Sequence, residues 1–154
     1  MATGPVQTTY SFKDLVGVIT SPLLGSPYQL VGGNIGNGSI TIRMLTQRTE
    51  HEVAADGTVM PSYVSGANAE VTVEVQQTSE LHHLLLSLYN QITTAAEGGD
   101  VSNWATLLIS LRTILDGSAH TLSGLSFQKI PDKPYAPKGQ NINWVLMAAN
   151  AVNQ

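Results

Sequence analysis

The sequence predicts a mainly β protein, a barrel or a sandwich, with one flanking α-helix. Apolar and polar residues alternate over several short segments, whereas one stretch near the middle has a helical period. Clusters of Gly, Pro and Asn separate these segments. The chain has 154 residues and no internal repeat, so we expect residues 1–154 to fold as a single domain.

The first third of the chain is typical of strands joined by turns. Residues 10–20 contain Val16, Val18 and Ile19 close together and end before a Ser-Pro pair. A short apolar run covers residues 28–31, and residues 39–45 alternate cleanly between apolar and polar side chains. The intervening residues 32–38 are too rich in Gly and Asn for a regular element, and they lack the Lys-Ser/Thr pair of a nucleotide-binding loop.

A hairpin and a long strand are predicted next. Residues 46–54 are polar and carry a crowded group of charges. Ala55-Asp56-Gly57-Thr58 favours a tight turn, because Asp-Gly tolerates the positive φ that such turns need. We expect residues 58–64 to return as a strand. Residues 68–76 show the cleanest alternation, with three valines on one face.

The period then changes to that of an amphipathic helix, which we place at about residues 79–95. Thr78 or Ser79 supplies an N-cap, Glu80 suits the first turn, and Gly98-Gly99 ends the element. The apolar positions fall on one helical face: Leu81, Leu84, Leu85, Leu88 and Ile92.

The last third begins with an ambiguous segment. Residues 104–115 fit the helical and the strand period equally well. Residues 119–128 favour a strand, and three prolines between residues 131 and 137 then exclude regular pairing. The final predicted strand, residues 141–148, places Ile142, Trp144 and Leu146 on one face.

The composition of the chain argues against some classes of function. Charged residues are 12% of the chain and the net charge is -4, whereas Ser, Thr, Asn and Gln supply 46 residues. An acidic chain with few lysines is a poor candidate for gripping nucleic acid by its phosphates. The low charge fits either ordinary polar strands or a surface that identical copies cover. We expect no signal peptide and no membrane anchor, because no suitable apolar run is present.

No set of residues predicts catalysis, a metal site or a cofactor. The chain has no cysteine, and His51-Glu52 does not continue as a zinc-protease motif. His82 and His83 are adjacent in the predicted helix, about 100° apart, so one metal cannot bind both. We expect the histidines to be ordinary surface or partly buried residues. Glu70 and Glu74 are predicted to lie on a solvated strand face, or to form a ring of negative charge in a cyclic assembly.

The segment Ser126-Phe127-Gln128-Lys129-Ile130-Pro131-Asp132-Lys133-Pro134-Tyr135-Ala136, followed by Gly139 and Asn143-Trp144, carries a family resemblance. It resembles the C-terminal signature of tail tube proteins from contractile-tailed bacteriophages. Tyr10-Ser11-Phe12-x-Asp14 is similar to the opening of the family's first strand, and residues 55–60 are similar to its Ala-Asp-Gly-Ser-Val-Met turn. The resemblance spans residues 10–150 and favours a strand at residues 104–112, although the segment there is more apolar than is usual for the family.

The resemblance implies a structural virion protein that is not an enzyme. Six copies would form a ring, and stacked rings would form the hollow inner tube that penetrates the host envelope and conducts the genome. Its partners would be further copies, the tail sheath, the tape-measure protein and the baseplate or terminator proteins. The protein would be located in the virion tail after assembly in the host cytoplasm. Alternatives are the tube of a tailocin or secretion machine, or a small β-sandwich binding module.

Two groups of residues are candidates for these roles. A neutral or slightly acidic lumen would let DNA slide, because it lacks the counterion-release attraction of a basic wall. The candidate lumen-facing residues are Thr41, Arg43, Glu70, Thr72, Glu74 and Gln76, among which Arg43 is an exception in charge. The candidate loop between subunits or rings comprises Gln47, Arg48, Thr49, Glu50, His51 and Glu52. We expect charge substitutions at Arg48 and Glu50 to block tube growth while the monomer stays folded.

Overall fold

A computed structural model describes residues 15–31, 39–114 and 117–154 of the chain. Within these ranges, six strands precede one long helix in the sequence and four strands follow it. In chain order the elements are β1 (Leu15–Thr20), β2 (Tyr28–Val31), β3 (Ser39–Met44), β4 (Thr49–Val53), β5 (Val59–Tyr63), β6 (Ala69–Gln76), α1 (Glu80–Glu97), β7 (Leu107–Thr113), β8 (Ala119–Phe127), β9 (Asn141–Ala148) and β10 (Asn150–Asn153).

One antiparallel sheet contains eight of these strands. Its order is β2-β1-β7-β8-β9-β6-β3, and β10 also pairs with β8. Strand β8 joins the two halves, because its residues up to Leu125 pair with β7 or β10 and its last two residues pair with β9. The predicted mainly β fold with one helix is confirmed. In the described ranges, however, β2 and β3 are edge strands that do not pair with each other, so the sheet is not a closed barrel.

A glycine allows the sheet to change partners in the middle of β8. Gly124 has φ +64, and a methyl group at this position would lie 2.8 Å from Cβ of Ala149. The backbone N–H of Ala149 donates to the carbonyl oxygens of Ser123 and Gly124, at the residue that separates β9 from β10. Only glycine combines this backbone conformation with the close approach of Ala149.

The core is one cluster of apolar side chains that both halves of the sheet and α1 contribute. Strand β6 alternates strictly, with Ala69 and its three valines buried and the polar residues between them half-buried. The helix buries Leu81, Leu85, Leu88 and Ile92, as predicted, whereas Leu84 is only partly buried. Trp144 is fully buried at the centre of β9.

Helix α1 begins one residue later and ends two residues later than predicted. The Ser79 side chain is the N-cap and accepts a hydrogen bond from the backbone N–H of His82, and Gly98 ends the helix. Within the ambiguous segment at residues 104–115, Leu107–Thr113 form strand β7, which pairs with both β1 and β8. Pairing with these two strands thus determines a strand conformation that periodicity alone could not predict. Strand β10 was not predicted.

Some predictions fall outside the described residues. These are the Tyr10-Ser11-Phe12-x-Asp14 motif, the glycine-rich residues 32–38 and Asp116 of the predicted Asp-Gly turn. The hairpin turn at residues 55–58 is confirmed, because the N–H of Ala54 donates to the carbonyl of Thr58 and Gly57 has φ +90.

Candidate assembly surfaces

The six candidate lumen-facing residues lie on one face of the sheet. In the pairing of β3 with β6, Thr41 stands opposite Thr72 and Arg43 stands opposite Glu70. The valines of β6 point into the core, so the residues between them point away from it. We call this surface the polar sheet face: Thr41, Arg43, Glu70, Thr72, Glu74 and Gln76.

Hydrogen bonds across strands order the charged groups on the polar sheet face. Arg43 Nη2 lies 2.7 Å from Glu70 Oε2, an ion pair whose arginine is mostly exposed. Glu74 accepts a hydrogen bond from Asn141 Nδ2 at 2.7 Å. Each carboxylate thus has its own partner on another strand. The face carries one positive and two negative charges among hydroxyl and amide groups.

Strands β4 and β5 form a separate two-stranded hairpin, which we call the arm (residues 49–63). All ten residues of its two strands are exposed. Asp56 stabilises the turn by accepting a hydrogen bond from the backbone N–H of Thr58, which lowers the pKa of the Asp56 carboxyl. At the base of the arm, Gln47 Nε2 donates to the carbonyl of Thr49 and Arg48 Nη1 donates to the Tyr63 hydroxyl.

The arm has two different faces. Directly paired residues share a face, so the register groups the side chains into two sets. The apolar arm face has exposed Val53 (65%) and Tyr63 (75%), and it comprises Thr49, His51, Val53, Val59, Pro61 and Tyr63. The acidic arm face comprises Glu50, Glu52, Met60 and Ser62. The sequence predicted this segment as polar and did not reveal that one face is apolar.

A groove lies between the proline-containing segment after β8 and the outer side of β9. It has a volume of about 500 Å³, and we call it the basic groove. The segment is held in place because Pro131 is buried and Gln77 Nε2 donates to the carbonyl of Pro134. The residues that line the groove are Lys129, Pro131, Asp132, Lys133, Pro134, Asn141, Asn143 and Val145.

A buried histidine, which the sequence did not predict, joins the helix to the sheet. His82 is 3% exposed and thus fully buried, so the expectation of a surface or partly buried position is wrong for this residue. Trp144 Nε1 donates to His82 Nδ1 at 3.0 Å. Burial lowers the pKa of His82, and the charges of Lys133 and His83 act in the same direction. The sequence contained one indication of this burial: His82 lies one turn before Leu85, close to the apolar helix face.

Neither a metal site nor a membrane span is found in the described parts of the chain. There, no three His, Asp or Glu side chains come together as ligands. Within the same ranges, no helix combines the length and apolarity that crossing a bilayer requires.

Several solved structures share the fold. The anti-feeding prophage cap that terminates the tube is 12% identical with a TM-score of 0.57, and the match covers 99% of this chain and 95% of that chain. The sheath/tube terminator of an extracellular contractile injection system, PVC, is 10% identical with a TM-score of 0.59, covering 97% and 99%. The sheath-tube complex of PVC is 10% identical with a TM-score of 0.55, covering 97% and 93%.

No curated protein matches the sequence significantly. A family model described as the bacteriophage PhiTE tail tube protein matches residues 7–153, nearly the whole chain. The chain therefore belongs to this phage tail tube family and is a structural tail component rather than an enzyme, as the sequence predicts.

Proposed function

We propose that residues 1–154 form a single tube domain, that six copies form a ring, and that stacked rings form the hollow inner tube of a contractile tail. The main observation in support of this proposal is that both strands of the arm are exposed on both faces. An isolated two-stranded hairpin is at best marginally stable in water. A neighbouring copy that covers the apolar arm face would bury its valines and Tyr63 and so stabilise both the arm and the assembly.

The shape of the domain supports contacts between copies. Five residues of extended chain carry the tip of the arm about 17 Å beyond its base, far enough to reach an adjacent subunit or ring. The large sheet has an unpaired edge at β2 and another at β3 within the described ranges. Such edges invite pairing with another chain, and a repeated head-to-tail contact closes into a ring.

The polar sheet face would line the lumen of the proposed tube. With one arginine held by Glu70 and no lysine, it offers DNA almost no free positive charge. Phosphate-dependent adhesion would therefore be weak and the genome could pass without specific binding. The tube would penetrate the host envelope during sheath contraction.

The outer partners of the tube would be the tail sheath along its length, and baseplate and terminator proteins at its ends. The tape-measure protein would occupy the lumen during assembly in the host cytoplasm. The fold shared with sheath-tube and terminator structures supports this set of partners.

Negative-stain microscopy of the purified protein tests the proposal. We expect wild-type protein to form rings or tubes about one domain thick in the wall, and Arg48→Glu with Glu50→Lys to remain a folded monomer. Glu97→Lys, at the exposed end of α1, is the matched control and should assemble normally. A wild-type protein that stays monomeric at high concentration, or arm variants that form normal tubes, would contradict the proposal.

The second candidate is the tube of a phage-like injection machine without a genome. The PVC structures show that this fold also occurs in an extracellular contractile injection system. Particles purified from the producing cells distinguish the two functions. DNA-filled heads attached to tubes of this protein would favour the phage, and headless sheathed tubes would favour the injection machine.

A further inference from the structure

We propose that the basic groove of one copy receives the acidic arm face of another. The inference rests on the proposed tube function and adds the receiving surface that the arm would contact. It follows from two exposed surfaces of opposite charge, the acidic arm face and the basic groove. Neither charge is fully neutralised within its own segment.

The arm is acidic along its whole length. Between Thr49 and Tyr63 every charged residue is an acid: Glu50, Glu52 and Asp56. Glu50 and Glu52 lie on the same face, and their side chains are exposed. Asp56 is already engaged at the turn, so Glu50 and Glu52 are the carboxylates available to a partner.

The segment beside the groove is basic. Between Lys129 and Lys138 there are three lysines and one aspartate, a net charge of +2 in a chain whose net charge is -4. Lys129 and Lys133 line the groove itself, with Asp132 between them in sequence. An acidic strand placed here would gain charge pairing with both lysines, at the cost of proximity to Asp132.

The apolar surfaces also match. Met60 shares the acidic arm face with the two glutamates and is 56% exposed. Pro131, Pro134 and Val145 supply apolar walls to the groove. A Met side chain fills irregular apolar gaps well, so it would occupy the groove while the flanking glutamates meet the lysines.

One experiment exchanges the charges. We expect the double variant Glu50→Lys with Glu52→Lys to raise the protein concentration needed for tube growth about tenfold or more. The double variant Lys129→Glu with Lys133→Glu should have the same effect. A mixture of the two double variants should restore growth. Lys138→Glu, outside the groove lining, is the matched control and should change little. Circular dichroism must show that each variant folds. Growth by the reversed variants alone, or no rescue in the mixture, would overturn the inference.

A second experiment does not depend on charge. Because the chain has no cysteine, Glu52→Cys and Lys133→Cys can be mixed and treated with a short bis-maleimide. We expect cross-linked dimers between the two variants, and none when Glu97→Cys replaces Lys133→Cys. Tubes that grow without this cross-link would overturn the inference and leave the proposed function intact. Wild-type protein without rings or tubes would overturn both.

Discussion

At the residue scale, the hydrogen bond from Trp144 to His82 joins helix α1 to strand β9 inside the core. Trp144→Phe would remove the donor and leave the buried His82 Nδ1 without a partner. We expect a loss of about 1–3 kcal/mol in the free energy of unfolding, with the lost indole volume adding to it. Urea unfolding measures the change. Trp104→Phe, at a half-exposed turn position, is the control, and an equal loss there would contradict the assignment.

The same histidine makes the stability depend on pH. The unfolded chain has a His82 pKa near 6.5, and the folded chain has a lower one. Below about pH 6.5 the unfolded state therefore takes up a proton that the folded state does not, so stability falls with pH until the folded pKa is reached. We expect a smaller drop in the urea midpoint between pH 7.5 and 5.5 for His82→Gln than for the control His51→Gln, which lies exposed on the arm. Equal drops would contradict this.

Gly124 is a position where a single added methyl group is expected to disturb the sheet. Gly124→Ala must hold a positive φ and push against Ala149, so we expect a loss of roughly 1–3 kcal/mol. Gly139→Ala, where the methyl would meet nothing within 4 Å, is the control. Thermal unfolding of both variants distinguishes strain at one residue from a general intolerance of substitution.

At the element scale, α1 depends on its N-cap as well as on its buried face. Ser79→Ala would leave the N–H of His82 without its acceptor at the helix start, and we expect a loss of about 1 kcal/mol. Ser87→Ala changes the same side chain at an exposed position in the middle of the helix, where alanine is the better helix former, and should not destabilise. Urea unfolding monitored by helical circular dichroism compares the two.

The sequence was sufficient to predict an element where only one face of that element is buried. The valines of β6 and the leucines of α1 have the period of their element because the core contacts only one side. Periodicity could not decide β7, whose apolar residues fit both patterns, and the pairing with β1 and β8 made it a strand. It also could not find the apolar arm face or the basic groove, since both depend on which residues tertiary structure brings together.

At the scale of the whole molecule, the low charge content is distributed unevenly. The acids of the arm and the lysines after β8 account for much of the free charge, and they lie on surfaces that we assign to contacts between copies. The polar sheet face has its arginine paired and its other groups mostly neutral. The basic groove borders the polar sheet face, since Asn143 and Val145 of its lining stand opposite Glu74 and Thr72. An arm seated in the groove would therefore pair the lysines that lie nearest to the proposed lumen, which reduces adhesion to DNA.

The lumen assignment can be tested by adding positive charge to the proposed wall. Thr72→Lys with Glu74→Lys changes the charge of the polar sheet face from -1 to +2 in each copy, and the ring repeats the change around the lumen. We expect tubes of this variant to retain duplex DNA. Retention should weaken as salt rises, with a logarithmic slope of about 0.9 for each phosphate contacted.

The matched control places the same two kinds of substitution on the exposed side of α1, as Ser87→Lys with Glu97→Lys. Net charge changes equally in the two variants, so non-specific attraction to DNA is the same in both. DNA that is added to finished tubes and protected from nuclease only in the Thr72/Glu74 variant would place the polar sheet face inside the tube. Equal protection in both variants, or none in either, would contradict that placement, because a lysine-lined lumen cannot avoid binding the phosphates that pass through it.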